Sequence, residues 1–332
     1  MDPVAFARGL IDIDSTTGRE TDAGRWLARQ LGGLGFSVTE QRVDHERFNV
    51  MATANPASAP TVTLSTHFDC VPSFFPSRIE GDRLYGRGSC DAKGILAAQV
   101  AAAERLRLKG ETRVGLLFVV GEERGSDGAK LANDVAAGGR FLVNGEPTES
   151  RLGAATRGIL RIKLHAEGRA AHSSWPELGV SAIDALIDAL VELRTLKLPE
   201  DPVLGRTFYT VGLISGGVAP NVVSPSAEAE VMFRTVGDFA DVRKAIVSLE
   251  SRVRIEHVLD VPPIKMKVVE GFETAVFPYT TDIPFLPAWG QPLLFGPGSI
   301  HVAHTAHEFV PIPELLKAVD SYETIVKGLL SA

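Results

Sequence analysis

The stretch Thr112 to Glu123 reads TRVGLLFVVGEE. Up to Val120 it is nearly continuously apolar, without the polar alternation of a strand that has one wet face. Such a run belongs in a sheet covered on both sides. It ends in Gly121, Glu122 and Glu123, so two carboxylates arrive at the end of a buried strand. Adjacent residues of an extended chain face opposite ways, so the two glutamates are expected to do different jobs.

The same arrangement recurs along the chain. Thr61 to Thr66 reads as a strand and runs into His67, Phe68 and Asp69, and Phe141 to Val143 leads to Glu146. Arg83 to Tyr85 precedes Gly86 to Gly94, GRGSCDAKG, in which Asp91 stands just before a helical run from Lys93 to Leu108. Pro292 to Phe295 leads towards AHTAHE, Ala303 to Glu308. A lone acid before a helix is ordinarily an N-cap. Five clusters of imidazole and carboxylate after apolar runs point instead to a metal site.

Further strands are expected at Val38 to Val43 and Phe48 to Thr53, with helices at Pro3 to Ile13, Thr21 to Leu34, Ser126 to Ala137 and Ile312 to Leu330. Thr21 is a candidate cap for the second helix. Strands alternating with helices indicate a mostly parallel α/β sheet, whose active groups belong at the carboxyl ends of its strands.

Beyond Thr156 the texture changes. Gly158 to Ala166 alternates like a half-exposed strand. Helix Val180 to Leu196, strands Thr207 to Ile214 and Ala227 to Thr235, helix Phe239 to Val253 and strand Arg254 to Leu259 follow. That order resembles a ferredoxin-like α+β sandwich. Residues 157–263 are therefore expected to form an inserted domain, with 1–156 and 264–332 forming the catalytic domain.

The 332 residues are 45% hydrophobic and 23% charged, with a net charge of −7 and no basic run. This argues against nucleic acid as the main partner and leaves small anionic substrates open. No basic and apolar leader opens the chain and no span of about 18 apolar residues occurs, so a cytoplasmic protein with no membrane contact is expected. Cys70 and Cys90 flank the acidic positions. They read as small buried side chains, with thiolate ligation or redox control as the alternative.

Two divalent cations need five or six protein ligands. His67, Asp91, Glu123, Glu146 and one of His301, His304 and His307 supply that number. Asp69, two residues beyond His67, is placed to orient the imidazole from behind. A nucleotide-binding glycine loop at Gly86 and Gly88 is disfavoured, because Asp91 replaces the third glycine and would repel a pyrophosphate.

HFDCVP, YGRGSCDAKG, GEERGSDG, NGEPTES, GRAAHSS and HTAHEFV, in this order from His67 to Glu308, resemble the signature blocks of the M20 family of metallopeptidases and amidohydrolases. That family includes acetylornithine and succinyl-diaminopimelate deacylases, carboxypeptidases and dipeptidases. The resemblance implies a di-metal hydrolase domain with an inserted dimerisation, or lid, domain and a homodimer. It implies that His67 and Glu146 hold one metal, Glu123 and His304 the other, and that Asp91 bridges them, followed by a cis peptide to Ala92.

By the same resemblance Glu122 is the general base. Two adjacent cations are expected to keep it ionised. His172 supports the carbonyl oxygen across the dimer, and Asn221 and Arg234 bind substrate. Gly296 and Gly298 are expected to let backbone approach the substrate. Arg234 implies a substrate carboxylate. The metals are zinc, or cobalt or manganese, all compatible with mixed imidazole and carboxylate ligands. The leading expectation is hydrolysis of an N-acyl amino acid of the N-acetylornithine type. A carboxypeptidase or dipeptidase of the same family is the alternative, and a catalytically silent relative is disfavoured because every ligand and the base are present. The loops between Val269 and Phe295 look shorter than the family's.

Overall fold

A computed structural model describes every residue except Ala137 and Ala332. It divides into two compact units. The first comprises Met1–Ala154, Met266–Ala275 and Thr281–Ala332, and the second Ala155–Lys265 and Val276–Thr280. Among the described residues no helix is long and apolar enough to cross a membrane.

The first unit is built on a six-stranded sheet in the order Ser37–Arg42, Phe48–Thr53, Val114–Val119, Val62–His67, Phe141–Asn144 and Gln291–Leu294. The last four strands are mutually parallel, and the first two form an antiparallel edge. The run Val114–Val119 is buried along its whole length for the reason its sequence suggests. Val114, Leu116 and Phe118 enter the larger core on one face, while Leu117 and Val119 enter a second core with Leu142 and Trp289 on the other.

Helix Lys93–Leu108 lies in the larger core, between the sheet and the helices Pro3–Ile11 and Ile312–Ser331. Its alanines let neighbours approach from nearly every side, so it is buried almost all round. Ala92, and not Asp91, occupies its N-cap position.

The second unit carries a four-stranded antiparallel sheet in the order Phe208–Gly216, Ser226–Thr235, Gly158–Glu167 and Arg254–Val261. Helix Ala182–Leu193 packs on one face of it with helix Phe239–Ile246. The two strand–helix–strand halves interleave in the sheet as in a ferredoxin-like sandwich.

Several details differ from the sequence reading. The helix expected at Ser126 to Ala137 spans only Asp127–Asn133, and Ala137 lies outside the described residues. The helix expected at Phe239 to Val253 tightens into a 3-10 turn over Val247–Ser251, a common way for a helix to end. Thr21 is not a cap: Glu20 precedes the helix, and the Thr21 hydroxyl donates to the Glu46 carbonyl instead.

Buried Tyr322 ties the closing helix to the sheet. Its hydroxyl donates to the Phe295 carbonyl at 2.6 Å, and its ring meets Phe295 edge-on with centroids 5.1 Å apart. Tyr322→Phe keeps the ring and strands the carbonyl, so urea denaturation should show a loss of about 1–3 kcal/mol. An unchanged midpoint would show that the bond contributes nothing.

Candidate metal centre

Three adjacent parallel strands end at one edge of the central sheet. His67 is the last residue of its strand, Glu122 and Glu123 follow Val114–Val119, and Glu146 follows Phe141–Asn144. This is the edge at which a parallel sheet gathers its functional groups. Asp91 arrives differently. The strand before it, Arg83–Tyr85, pairs with Arg78–Glu80 and Phe309–Pro311 in a separate small sheet, and the Asp91–Ala92 peptide is cis. The partner strand Phe309–Pro311 follows the His304 loop directly, so one small sheet positions both Asp91 and His304.

The sequence-derived ligands come together as two groups sharing Asp91. His67, Asp91 and Glu146 form one, and Asp91, Glu123 and His304 the other, with their donor atoms within 4.8 Å of one another in each group. Nε2 of His67 lies 3.0 Å from Asp91 Oδ1 and 3.9 Å from Glu146 Oε1. Nε2 of His304 lies 3.0 Å from Glu123 and 3.4 Å from Asp91 Oδ2. Each Asp91 oxygen thus faces a different imidazole. Of the three histidines in the late cluster, His304 is the one drawn in; the backbone amides of His301 and His307 bond to Ser299 and Thr305 in the same turn.

Glu123 joins a donor group and Glu122 does not, and neither stands on an extended strand. They lie in a 3-10 turn, Glu122–Arg124. Asp69 closes that turn from behind: its carboxylate accepts from the amides of Glu122 and Glu123 at 3.1 and 3.2 Å and from the Thr17 hydroxyl at 2.8 Å. Asp69 also faces the far nitrogen of His67. Nδ1 lies 3.1 Å from the Asp69 carbonyl and 3.5 Å from its carboxylate. One buried acid therefore orients an imidazole and the adjacent glutamate pair.

Three supporting residues were not singled out from sequence. Glu308, fully buried, accepts from the amides of Cys90 and Asp91, each at 3.1 Å, and from Arg87 at 2.6 Å. Arg87 is further held by the Ser73 carbonyl at 3.2 Å and lies over the Phe75 ring. Asp282 is buried with its carboxyl pushed up to about 7, chiefly by burial and further by the Asp69 and Asp127 carboxylates. Glu308 and Arg87 sat inside AHTAHE and YGRG, but nothing local marks them as partners.

The charge balance of the cluster is that of a cation site. Burial, reinforced by Asp91, pushes the Glu146 carboxyl well above the carboxylate range, and burial with Glu146 does the same to Glu122. Against the effect of burial, hydrogen bonds from His304 and His67 hold Asp91 low. Hydrogen bonding to Asp91 and Glu123 lifts His304 to about 10. Oε1 of Glu146 is buried and accepts no hydrogen bond from the described residues. One imidazole and two carboxylates per group, with an orphaned Glu146 oxygen in the first, fit two divalent cations of the zinc, cobalt or manganese type.

Gly296 and Gly298 have a different explanation from the expected one. A Cβ on Gly296 would lie 2.4 Å from the Glu146 carbonyl, and one on Gly298 would lie 2.5 Å from Cys90 Sγ. Their amides already donate to Thr148 and Glu314. Here glycine makes room for the protein's own chain. Burial pushes the Cys70 thiol up to about 12 and the Cys90 thiol up as well; neither joins a donor group, which fits small buried side chains.

In the second unit, His172 and Asn221 stand on neighbouring strands of chain. His172 bridges Val222, the Ser173 amide donates to the Asn221 carbonyl at 3.0 Å, and His172 Nδ1 accepts from the Ser174 amide at 3.2 Å. Arg234 lies half-buried on strand Ser226–Thr235.

The sequence profile of peptidase family M20/M25/M40 matches residues 63–328. A peptidase M20 domain-containing protein of Schizosaccharomyces pombe is 36% identical over 97% of this chain and 84% of its own length. A probable carboxypeptidase of Aspergillus terreus is 38% identical over 98% of this chain and 86% of its own. In fold, a tripeptidase from Staphylococcus aureus superposes with a TM-score of 0.83 at 22% identity, covering 99% of this chain and 98% of that one. An M20 metallo-carboxypeptidase from Sulfolobus solfataricus superposes with a TM-score of 0.78 at 18% identity over all of both chains. The profile match and the curated relatives make the chain an M20 metallohydrolase acting on carbon–nitrogen bonds, a member of peptidase family M20/M25/M40.

Proposed function

We propose that the chain is a two-metal carboxypeptidase that removes the C-terminal residue of short peptides. The observation that carries the reading is the pair of imidazole–carboxylate groups sharing Asp91, with the Glu122 carboxyl close enough to feel Glu146 and Glu123. The step from hydrolase to carboxypeptidase is supported by curated relatives over nearly the whole chain, several named probable carboxypeptidases. They favour that branch over the N-acyl amino acid deacetylation first expected, although both substrates present an amide beside a carboxylate.

His67 and Glu146 would hold one cation, Glu123 and His304 the other, and Asp91 both. Cations bound there would supply Lewis acidity to an amide carbonyl and to a water. Glu122 is left free of ligation to act as the base. It takes a proton from the attacking water and returns it to the leaving amine. The half-buried Arg234 guanidinium pairs with the substrate's terminal carboxylate, and Asn221 adds a hydrogen bond. His172 donates to the carbonyl oxygen as charge develops on it.

A homodimer through the second unit belongs to the same reading. Strand Phe208–Gly216 is a sheet edge, and Val211, Leu213 and Ile214 on it are exposed. Ile187 and Val191 of helix Ala182–Leu193 are exposed as well. An unpaired apolar edge is a template for pairing with a second copy, and His172 would then serve the partner's reaction.

Metal-loaded enzyme should hydrolyse N-blocked dipeptides with a free C-terminus and spare their C-terminal amides. Glu122→Ala should lower kcat about 10³-fold with metal content unchanged. Turnover of N-acetyl amino acids alone would return the chain to the deacylase branch. Mixing inactive Glu122→Ala with inactive His172→Ala should regenerate activity if His172 acts across a dimer; no recovery from a mixed dimer would place it in its own subunit's reaction.

A further inference from the structure

The turn that carries Glu122 is short. Glu122–Arg124 lies between the end of strand Val114–Val119 and the start of helix Asp127–Asn133. Among the described residues no side chain donates to the Glu122 carboxylate. Glu123 differs, because His304 meets it at 3.0 Å. The direction of Glu122 is therefore inherited from the backbone beneath it.

That backbone is tied to the antiparallel edge of the sheet. The ladder between Phe48–Thr53 and Val114–Val119 ends at the pair Val50 and Phe118. One residue further on, Asn49 extends it with its side chain. Asn49 Oδ1 accepts from the Val120 amide at 3.1 Å, and Nδ2 donates to the Gly128 carbonyl at 2.8 Å and to Gln41 Oε1 at 2.9 Å. The Gly128 amide returns to the Val120 carbonyl at 3.1 Å. The two ends of the segment 120–128 thus meet across one fully buried carboxamide, whose acceptor and both donors are used. A Cβ on Gly128 would lie 2.5 Å from Asn49 Oδ1, so that space belongs to the amide. Gln41 reaches on to the Leu131 carbonyl at 2.9 Å, and Arg47 bonds Asp127. None of these edge residues belongs to either donor group.

We propose that Asn49 is a positioning residue for the reaction. By pinning Val120 to Gly128 it fixes the place from which Glu122 takes its proton, and Gln41 and Arg47 hold the far end of the same segment. The inference rests on the reading of Glu122 as the base.

A double-mutant cycle separates this role from a general contribution to stability. At saturating metal, Asn49→Ala should lower kcat about 100-fold with KM nearly unchanged, the cost of a catalytic group displaced by about 1 Å. In the Glu122→Ala background the same substitution should hardly change the residual rate, because the carboxylate it positions is gone. Tyr322→Phe, which weakens the fold elsewhere, should keep kcat. Equal falls in both backgrounds, or an unchanged kcat in Asn49→Ala, overturn the proposal. If Glu122→Ala itself leaves kcat intact, the assignment of the base fails and the proposal with it, a distinguishable result. Amide hydrogen exchange gives a reading independent of turnover. Asn49→Ala should speed exchange across 120–128 by about tenfold or more and leave strand Val62–His67 as protected as in the wild type. No local rise, or a rise spread over the whole sheet, overturns the proposal. Asn49→Asp keeps the acceptor for Val120 and loses the donor to Gly128. It takes the place of the alanine variant in both measurements if that variant does not fold.

Discussion

Asp91 stands between two imidazoles, one at each carboxylate oxygen, and the rest of the centre is arranged around that contact. Around it Glu122 and Glu146 are crowded together with Glu123, and burial with this repulsion raises the cost of ionising Glu122 and Glu146. Cations relieve this more completely than protons, because each can be held by three donors at once. The Asp91 backbone is correspondingly pinned. Glu308 holds its amide, and Arg87 neutralises Glu308 while gripping the Ser73 carbonyl.

The fold delivers these groups economically. Strands buried on both faces cannot wander, so their carboxyl ends are fixed reference points. His67 leaves such an end directly, while Glu122 and Glu123 need the extra tie of Asp69 because they stand on a short turn. That division explains why a buried acid outside the donor groups still bears on them. Asp69 sets the rotation of His67 through its backbone carbonyl and holds the turn of the two glutamates through its carboxylate.

Much of this was legible in the sequence. The unbroken apolar run at Thr112 to Val120 marks a doubly covered strand, and the imidazoles and carboxylates after such runs mark the sheet edge where the two donor groups gather. Less was legible where backbone conformation overrides residue type. The Glu122 turn looked like strand, Thr21 looked like a cap, and the glycines of FGPGS looked like room for substrate. Glu308 and Arg87 were hidden for another reason: Glu308 meets Asp91 across a separation of 217 residues, and no local pattern announces such a pairing.

The central claim is that Asp91 joins two cation sites into one centre. Elemental analysis of stripped and reconstituted protein, wild type beside Asp91→Asn, tests it most directly. The account predicts about two equivalents of metal per chain in the wild type and clearly fewer than one in the variant, because both sites lose a donor. A wild type that saturates at one equivalent, or an Asp91→Asn variant that still holds two, would contradict it.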